Sequence, residues 1–377
     1  MKKIAIVNRT NLKNYGSVLQ AYALCETVRS LGYDSEIIWE SGNVSKNYDF
    51  RPNKIICTGF KLLLNPSLIK ATFLSVKHVQ KQVISNETVG MFDDFVNKRV
   101  KRRFYPAKLM KKNKVGKIYD KFICGSDQVW CTTTTYVDPL MYLRFAPQEK
   151  RIAYAPSLGR DYIPKYNVKK MRKYINEIPY VSVREDIGER LIEGLTGRDV
   201  PTVVDPTFLM TKDRWNEERI LPDLSEKYIL CYFLSTPTEK TQIKLLKYIQ
   251  KTGKIVIALN SKLEYVEKNL KVIYPDCGPR EFIGFISNAE YIFTDSYHGM
   301  LFSIIYHKDF SSIEREYGEF DQSSRQLSVL GMLGLNSRYC RLEDKISLGK
   351  IDYETVDKKL QENIDESLNY LKLALES

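Results

Sequence analysis

Short apolar runs alternate along the first half of the chain with stretches whose apolar residues recur at helical spacing. The pattern predicts helices at residues 16–28 and 185–195, because glycines suited to helix ends follow both stretches. The apolar runs predict buried strands at residues 3–8, 35–39, 121–125, 151–155, 180–184 and 202–205. Residues 3–39 therefore read as strand, loop, helix and strand, which is a βαβ unit.

The second half repeats this alternation. It predicts strands at 228–234, 254–258, 291–294 and 310–313, and helices at 240–251, 280–288, 299–306 and 354–375. A polar stretch at 211–226, interrupted by Pro222, predicts the boundary between the halves. Two such series predict an α/β protein with two parallel sheets that face a cleft. The expected domains are residues 1–210, with a basic insertion at about 45–118, and residues 211–377, with a closing helix.

Charge is concentrated in one segment of the 377-residue chain, whose formal net charge is +12. Residues 51–117 contain sixteen Lys or Arg and three Asp or Glu, a net +13, so the remainder sums to −1. Within this segment, residues 55–76 predict either an amphipathic helix lying on an anionic membrane or a Lys-rich surface helix that packs its Leu face on the domain. Nucleic acid is not expected as a partner, because no recognition motif or aromatic stacking platform accompanies the charge.

Composition and motifs exclude several classes of protein. Hydrophobic residues make up 43% of the chain, which is enough for a buried core, and no apolar run approaches the ~20 residues that cross a bilayer. Seven cysteines without a CxxC spacing predict reduced thiols in a cytoplasmic protein. Metal-ligating spacings, a Walker A motif and a GxSxG elbow are absent from the sequence, so neither a metal site nor a Ser-His-Asp hydrolase is expected.

Polar residues follow two of the predicted strands where parallel sheets bind ligands. Gly16 and Ser17 open a helix, where free N–H groups could bind an anion or Ser17 could simply cap the helix. Ser126, Asp127 and Gln128 follow the strand at 121–125. These three could hydrogen-bond a sugar, with Asp127 orienting or deprotonating a hydroxyl, or they could form a capped turn.

Two further residues have chemistry suited to a phosphorylated substrate. Arg184 ends a predicted strand, where it could hold a phosphate or carboxylate, or could pair with Glu185 or Asp186. His298 lies at a strand-to-helix turn beside Asp295 and Gly299. An imidazole in this position could act as a general acid or base near neutral pH, or could cap the turn.

Taken together, seven short motifs resemble the polysaccharide pyruvyl transferase family. They occur in family order and span roughly positions 4 to 340. The motifs are NYGSVLQAYAL at 14–24, GSDQVW at 125–130, SVRED at 182–186, VDPT at 204–207, NAEY at 288–291, TDSYHG at 294–299 and SR at 324–325. The resemblance implies a GT-B-like fold of two Rossmann-like domains.

The same resemblance implies a reaction. The donor would be phosphoenolpyruvate, the acceptor a glycan or lipid-linked oligosaccharide, and the products a pyruvate ketal and phosphate, with no cofactor. Arg184 and Arg325 would hold the donor, and His298 would be the general acid, either protonating the enol methylene or assisting phosphate departure. Ser296 and Tyr297 stand where many members have Arg-Leu, which removes one cation beside His298.

We therefore expect a cytoplasmic pyruvyl transferase of cell-surface polysaccharide biosynthesis, either free or peripheral at the inner face of the membrane. One alternative is a GT-B-like glycosyltransferase that uses a nucleotide sugar, for which Glu281 could bind the nucleotide. The other alternative is an inactive glycan- or lipid-binding scaffold of the same fold. The scaffold predicts that His298 is buried and that no open cleft holds Arg184 or Arg325.

Overall fold

Two parallel six-stranded sheets form the framework of the protein. The computed structural model describes residues 1–8, 14–41, 44–45, 48–49, 52–64, 84–106, 114–315, 323–344, 346 and 349–377. Each sheet has its first strand near the centre and adds later strands on both sides. The two orders are equivalent to 3-2-1-4-5-6, which is the doubly wound arrangement of dinucleotide-binding folds.

The first sheet has the order β5-β2-β1-β6-β7-β8. Its strands are β1 (Lys3–Val7), β2 (Asp34–Ser41), β5 (Arg102–Pro106), β6 (Lys121–Cys124), β7 (Arg151–Ala153) and β8 (Tyr180–Val181), with the hairpin β3 (Val44–Ser45) and β4 (Tyr48–Asp49) outside it. The second sheet has the order β11-β10-β9-β12-β13-β14. Its strands are β9 (Tyr228–Tyr232), β10 (Ile255–Leu259), β11 (Val272–Ile273), β12 (Tyr291–Thr294), β13 (Asp309–Ile313) and β14 (Tyr339–Cys340).

Helices connect the strands, as parallel pairing requires. In the first half they are α1 (Tyr15–Ser30), α2 (Pro52–Leu64), α3 (Asn86–Arg99), α4 (Lys165–Asn176), α5 (Asp186–Thr196), α6 (Pro206–Leu209) and α7 (Lys212–Glu218). In the second half they are α8 (Glu239–Thr252), α9 (Glu264–Glu267), α10 (Pro279–Asn288), α11 (Tyr297–Ile305), α12 (Ser324–Leu333) and α13 (Tyr353–Glu376). The predicted α/β class with two Rossmann-like units is confirmed.

One local prediction is wrong. Residues 202–205 form no strand, since Thr202 makes only an isolated bridge with Val183, and the segment then turns into α6. The polar stretch at 211–226 contains α7, whose Trp215 is fully buried. A domain boundary in this stretch stays a prediction.

The structure of the basic segment differs from one of the two predictions made for residues 55–76. The helix predicted at 55–76 is observed as α2, Pro52–Leu64, and the rest of that prediction lies outside the described residues. The Leu face of α2 does not pack on the domain, because Leu63 and Leu64 are exposed. Four cations farther along the segment form ion pairs with acids: Lys98 with Asp94, Arg99 with Glu218, Lys101 with Asp34 and Arg103 with Glu36.

Aromatic packing joins the two halves of the chain. Tyr15, at the start of α1, stacks on Phe282 of α10 with ring centroids 4.5 Å apart, and its hydroxyl donates to the carbonyl of Cys277 at 3.0 Å. The closing helix α13 returns to the first half, where the Ser367 hydroxyl accepts from the Val204 N–H. These contacts hold the carboxyl ends of the two sheets together.

Candidate active site

The candidate site lies where the strand order of each sheet reverses. In the first sheet this switch point falls between β1 and β6, and in the second between β9 and β12. The chain after β1 leads into α1, and the chain after β12 leads into α11, which contains His298. Ligands bind at such points because the flanking loops diverge and leave the strand ends accessible.

Asp205 is the central anion of the site. Its Oδ2 accepts a charge-assisted hydrogen bond from Nη1 of Arg184 at 2.6 Å and a bond from the Ser126 hydroxyl at 3.3 Å. Its Oδ1 accepts from the backbone N–H and the hydroxyl of Thr207, at 3.0 and 2.8 Å. Both carboxylate oxygens are therefore fixed, and Arg184 is fixed with them.

His298 contacts the same carboxylate from the other half of the chain. Its Nε2 lies 3.6 Å from Oδ2 of Asp205, within ion-pair range but longer than a hydrogen bond. The other side of the ring lies against Gly16, where an added Cβ would be 2.0 Å from Nδ1. The imidazole is thus held between Asp205 and the start of α1.

Tyr297 brings the two arginines together. Its ring lies 4.4 Å from the guanidinium carbon of Arg184 and 5.7 Å from that of Arg325, within the range of cation–π contacts. The His298 ring meets Tyr297 edge-on at 5.2 Å. Arg184, Tyr297, His298 and Arg325 come from three separate elements, and they form one cluster.

Burial and neighbouring charges shift the pKa values of several groups in and around the cluster. Burial opposes ionisation of Asp205, but His298 and Arg184 outweigh it and hold the pKa of that carboxyl well below its usual range. Burial raises the pKa of Glu185, despite the opposing effects of Arg184 and Ser157. Burial and then Arg184 lower the pKa of Arg325 to about 10. An added anion would relieve the repulsion between the two guanidinium groups.

Several buried polar atoms of the cluster have no hydrogen-bond partner among the described residues. They are Nε and Nη2 of Arg184, Nε2 of His298 and the hydroxyl of Tyr297. Two of these atoms lie within ion-pair range of carboxylates, the His298 Nε2 at 3.6 Å from Asp205 and the Arg184 Nε at 3.9 Å from Glu185. A guanidinium, an imidazole and a phenol together suit a small anionic ligand that carries both a phosphate and a carboxylate.

At the helix start, the N-cap of α1 is Asn14 rather than Ser17. The Asn14 Oδ1 accepts from the Ser17 N–H at 3.0 Å, so that N–H is already used. Gly16 lies against His298, where its missing side chain makes room for the imidazole. Anion binding at this helix start stays a prediction.

The remaining candidate residues, Ser126, Asp127, Gln128 and Ser296, each make different contacts. Asp127 adopts a left-handed φ of 73°, and its charge acts on both Arg184 and Arg325. Gln128 instead points toward Gly159, where an added Cβ would lie 2.7 Å from its Nε2. Ser296 is the N-cap of α11, since its hydroxyl accepts from the Gly299 N–H at 3.3 Å. The Ser126 hydroxyl accepts from Nη1 of Arg184 at 3.3 Å and donates to Asp205.

The site is enclosed by the protein. Arg184, His298 and Arg325 are 2%, 7% and 8% exposed. A cavity of about 400 Å³ is lined by Arg184, Asp205, Asp186, Glu189, Ser328 and Asn363, among others, but His298 is not part of its wall. The burial of His298 matches what the scaffold alternative predicts, whereas the convergence of the arginines on His298 matches what the enzyme predicts.

Sequence reasoning missed the residues that organise the cluster. Asp205 stands in the VDPT motif, but nothing in its local pattern connected it with Arg184, and Glu185 was considered only as an ion-pair partner of that arginine. The Arg184 Nε lies 3.9 Å from Glu185, farther than the Asp205 contact. An invariant spacing among relatives would be the signal needed to find Asp205.

Two searches of the described residues gave negative results. They contain no group of three or more His, Cys, Asp or Glu side chains that could hold a metal ion. In the same residues, every helix is too short or too polar to span a bilayer.

Comparisons with known proteins identify the family. No curated protein sequence matches the chain. Similar solved structures include a putative UDP-N-acetylglucosamine 2-epimerase from Listeria monocytogenes (11% identity, TM-score 0.49, covering 98% of this chain and 90% of that one). Others are a UDP-GlcNAc 2-epimerase from Methanocaldococcus jannaschii (14%, 0.47, 95% and 91%) and an ADP-bound heptosyltransferase from E. coli (10%, 0.42, 96% and 99%). The model of the polysaccharide pyruvyl transferase family matches residues 14–317, and the chain therefore belongs to that family.

Proposed function

We propose that the protein transfers pyruvate from phosphoenolpyruvate to two hydroxyls of a glycan or lipid-linked oligosaccharide, forming a ketal in cell-surface polysaccharide biosynthesis. Family membership supports the reaction class. The observation that carries the proposal is the meeting of Arg184, Arg325 and His298 around Tyr297. Phosphoenolpyruvate has a phosphate and a carboxylate attached to the same carbon, C2, and this cluster offers two guanidinium groups beside an acid–base group.

The donor binds between the two arginines in this proposal. Arg184 has Nε and Nη2 available, because Asp205 occupies only its Nη1. Arg325 reaches the same Tyr297 ring from α12. A planar guanidinium can hold a carboxylate or phosphate by two parallel bonds, which fixes the orientation of the donor as well as its position.

His298 then acts as the general acid. It gives a proton to the methylene carbon of phosphoenolpyruvate, and the resulting cation-like C2 is attacked by the first hydroxyl. The bond from C2 to the phosphate oxygen breaks, phosphate leaves, and the second hydroxyl adds to C2. The two hydroxyls release two protons; one reprotonates His298 and the other leaves with phosphate. In this proposal Asp127 orients the attacking hydroxyl, and Asp205 stabilises the imidazolium.

Both substrates require the halves to separate. Gly16 closes directly on His298, and Tyr15 packs on Phe282 across the same junction. Opening at these contacts would admit the donor and the acceptor, and reclosure would exclude water from the cation-like intermediate. The enclosed cluster is therefore assigned as the closed state of an enzyme.

The nucleotide-sugar alternative loses its suggested acid. Glu281 forms a capping box at the start of α10, where its Oε2 accepts from the Gly278 N–H at 3.1 Å. A side chain committed to a helix cap has less freedom to bind a ribose. This contact favours the pyruvyl transferase over the glycosyltransferase.

The test is phosphate release from phosphoenolpyruvate in the presence of a panel of glycans with free hydroxyl pairs, with mass spectrometry of the glycan product. We expect release that depends on a glycan and a product that has gained a condensed pyruvate. His298→Ala is expected to lower the rate by about 10²–10⁴-fold, the usual contribution of a general acid. His307→Ala is the matched control, because His307 lies on the surface beside Asp357.

Three results would contradict the proposal. Release that is unchanged in the His298→Ala protein would remove this imidazole from the reaction. A melting temperature that rises with UDP- or GDP-sugars but not with phosphoenolpyruvate would favour the glycosyltransferase, and no response to either ligand would favour the scaffold.

A further inference from the structure

Helix α2 turns its apolar face outward. Ile56, Phe60, Leu63 and Leu64 are between 64% and 80% exposed. Their spacing of four, three and one residues places them on one side of the helix, and Gly59 lies on the same side. At about 100° per residue, these five positions cover an arc of about 140° that contains no charged residue.

The opposite side of α2 is polar and anchors the helix to the protein. The hydroxyl of Thr58 lies 3.1 Å from that of Thr135, and the ammonium of Lys61 donates to Oδ1 of Asn167 at 2.6 Å. Lys61 also lies 4.8 Å from the centre of the Tyr166 ring. Asn167 is fully buried and donates to the carbonyls of Thr132 and Thr134, so the anchor point is itself well fixed.

This orientation is the reverse of an ordinary surface helix. Such a helix buries its apolar stripe and exposes its charges. Here a lysine faces the protein while a phenylalanine and three large aliphatic side chains face solvent. Contiguous exposed apolar surface of this kind is a mark of an interaction site, whereas single exposed apolar residues are common.

The charge around α2 indicates the kind of partner. Residues 51–86 contain six Lys or Arg and no Asp or Glu, and the whole chain has a formal net charge of +12. A protein partner would be expected to meet a rim with charges of both signs. An apolar helix face within a stretch of sequence whose charged residues are all cationic fits the interface of an anionic bilayer, where apolar side chains enter the acyl region and basic residues favour the headgroups.

We propose that α2 docks the protein on an anionic membrane surface by inserting Ile56, Phe60, Leu63 and Leu64. The helix lies flat on the bilayer and its polar side stays on the protein. Docking of this kind is independent of the chemistry at His298. It would place the enzyme beside a lipid-linked acceptor without a membrane-spanning helix.

The test is co-sedimentation of the full-length protein with vesicles. We would compare vesicles of phosphatidylcholine alone with vesicles containing phosphatidylglycerol, at low and high salt. The test variant is Phe60→Gln/Leu63→Gln/Leu64→Gln, because Gln keeps helix propensity and these side chains make no buried core. The matched control is Leu221→Gln/Leu373→Gln, which removes apolar side chains that are 55% and 65% exposed elsewhere.

We expect the wild type and the control to bind the anionic vesicles, and to bind them less strongly at high salt. The triple variant should bind at least tenfold more weakly than the wild type, with an unchanged melting temperature. Activity on a soluble acceptor should be the same in all three proteins, which separates docking from catalysis. Absence of wild-type binding, or equal binding by the triple variant, would overturn the proposal. The proposal would also be overturned if light scattering shows that the wild type is a dimer and that the only defect of the triple variant is loss of this dimer. The apolar face of α2 would then contact a second copy of the chain.

Discussion

The backbone of Gly16 lies against the imidazole of His298, so closely that a Cβ at position 16 would be 2.0 Å from Nδ1 and 2.2 Å from Cγ of the ring. Gly16 comes from the first half of the chain and His298 from the second. The contact therefore places the imidazole at the junction of the two halves. Other residue types at position 16 must displace the ring or hold the halves apart.

Gly16→Ala is expected to lower glycan-dependent phosphate release by at least tenfold. The added methyl group overpacks a buried contact, which typically costs about 1–3 kcal/mol, and the displaced ring loses its place beside Asp205. Phosphate release and the melting temperature are measured together. The matched control is Gly90→Ala in α3, where an added Cβ has no atom within 4 Å. The control should keep full activity and gain up to about 1 kcal/mol of stability. Equal activity in all three proteins would mean that closure onto His298 is not needed.

Asp205→Asn is expected to destabilise the fold as well as reduce activity. The amide keeps an acceptor for Thr207 but can present N–H groups to Arg184, so a buried cation loses its partner. Breaking a buried pair in this way typically costs about 3–5 kcal/mol. Urea unfolding measures the loss, and the exposed Asp199→Asn serves as the control for removal of a carboxylate.

The loss of unfolding free energy caused by Asp205→Asn should become smaller as the pH falls. Because the folded-state pKa of Asp205 is depressed, its stabilising contribution is present above the unfolded-state value of about 3.9 and disappears as the pH falls through the folded-state value. The difference between wild type and Asp205→Asn should therefore be constant from about pH 5 to 8 and shrink below about pH 4. A difference that grows on acidification would contradict the assigned pair.

The sequence was most informative where local pattern and tertiary packing agree. The four-residue apolar run before Asn8 and the run before Asp295 become β1 and β12, because fully buried parallel strands need continuous apolar residues. The candidate residues after β6 and β12 followed from the rule that ligands bind at the carboxyl ends of parallel strands. Those predictions needed only neighbours in the chain.

The relationships across the chain could not be predicted in the same way. Asp205 pairs with Arg184, and the neighbouring Val204 donates its N–H to Ser367, which lies 163 residues after Val204. The orientation of α2 was equally hidden. Its amphipathic pattern fits an apolar side facing inward or outward, and only Thr58 and Lys61 in contact with the protein decide between them. Local propensity contains no information about which face a neighbour will meet.

Glu185→Gln should stabilise the protein increasingly as the pH rises. Burial raises the folded-state pKa of Glu185, so the stability of the wild type is greatest below the unfolded-state pKa of about 4.3 and falls as the pH rises through the folded-state value. Gln can keep the bond from the Ser157 hydroxyl without a buried charge. Unfolding free energies measured between pH 4 and 8 should diverge in favour of the variant. A difference that is flat, or that favours the wild type at pH 8, would mean that the Glu185 charge is needed to balance the arginines.

Arg325→Gln should separate donor binding from folding. Burial and Arg184 lower the pKa of Arg325 to about 10, so its charge is held at a cost that an anionic ligand would offset. We expect the unfolding free energy of the ligand-free variant to be no lower than that of the wild type, while the affinity for phosphoenolpyruvate falls by about 10- to 100-fold. That range corresponds to the loss of about 1.5–3 kcal/mol for a hydrogen bond to a charged group. Titration calorimetry and urea unfolding measure the two quantities.

The matched variant for Arg325→Gln is Arg315→Gln, because Arg315 pairs with Asp295 through an Nε to Oδ2 contact of 3.3 Å. Asp295 also accepts from the Leu234 N–H at 2.6 Å, so this second arginine completes a network that fixes the loop after β9. We expect Arg315→Gln to lower the unfolding free energy with a smaller effect on donor affinity, which is the opposite of the Arg325 result. If Arg325→Gln loses stability and keeps its affinity, the guanidinium is a structural group, and the donor must be held by Arg184 without it.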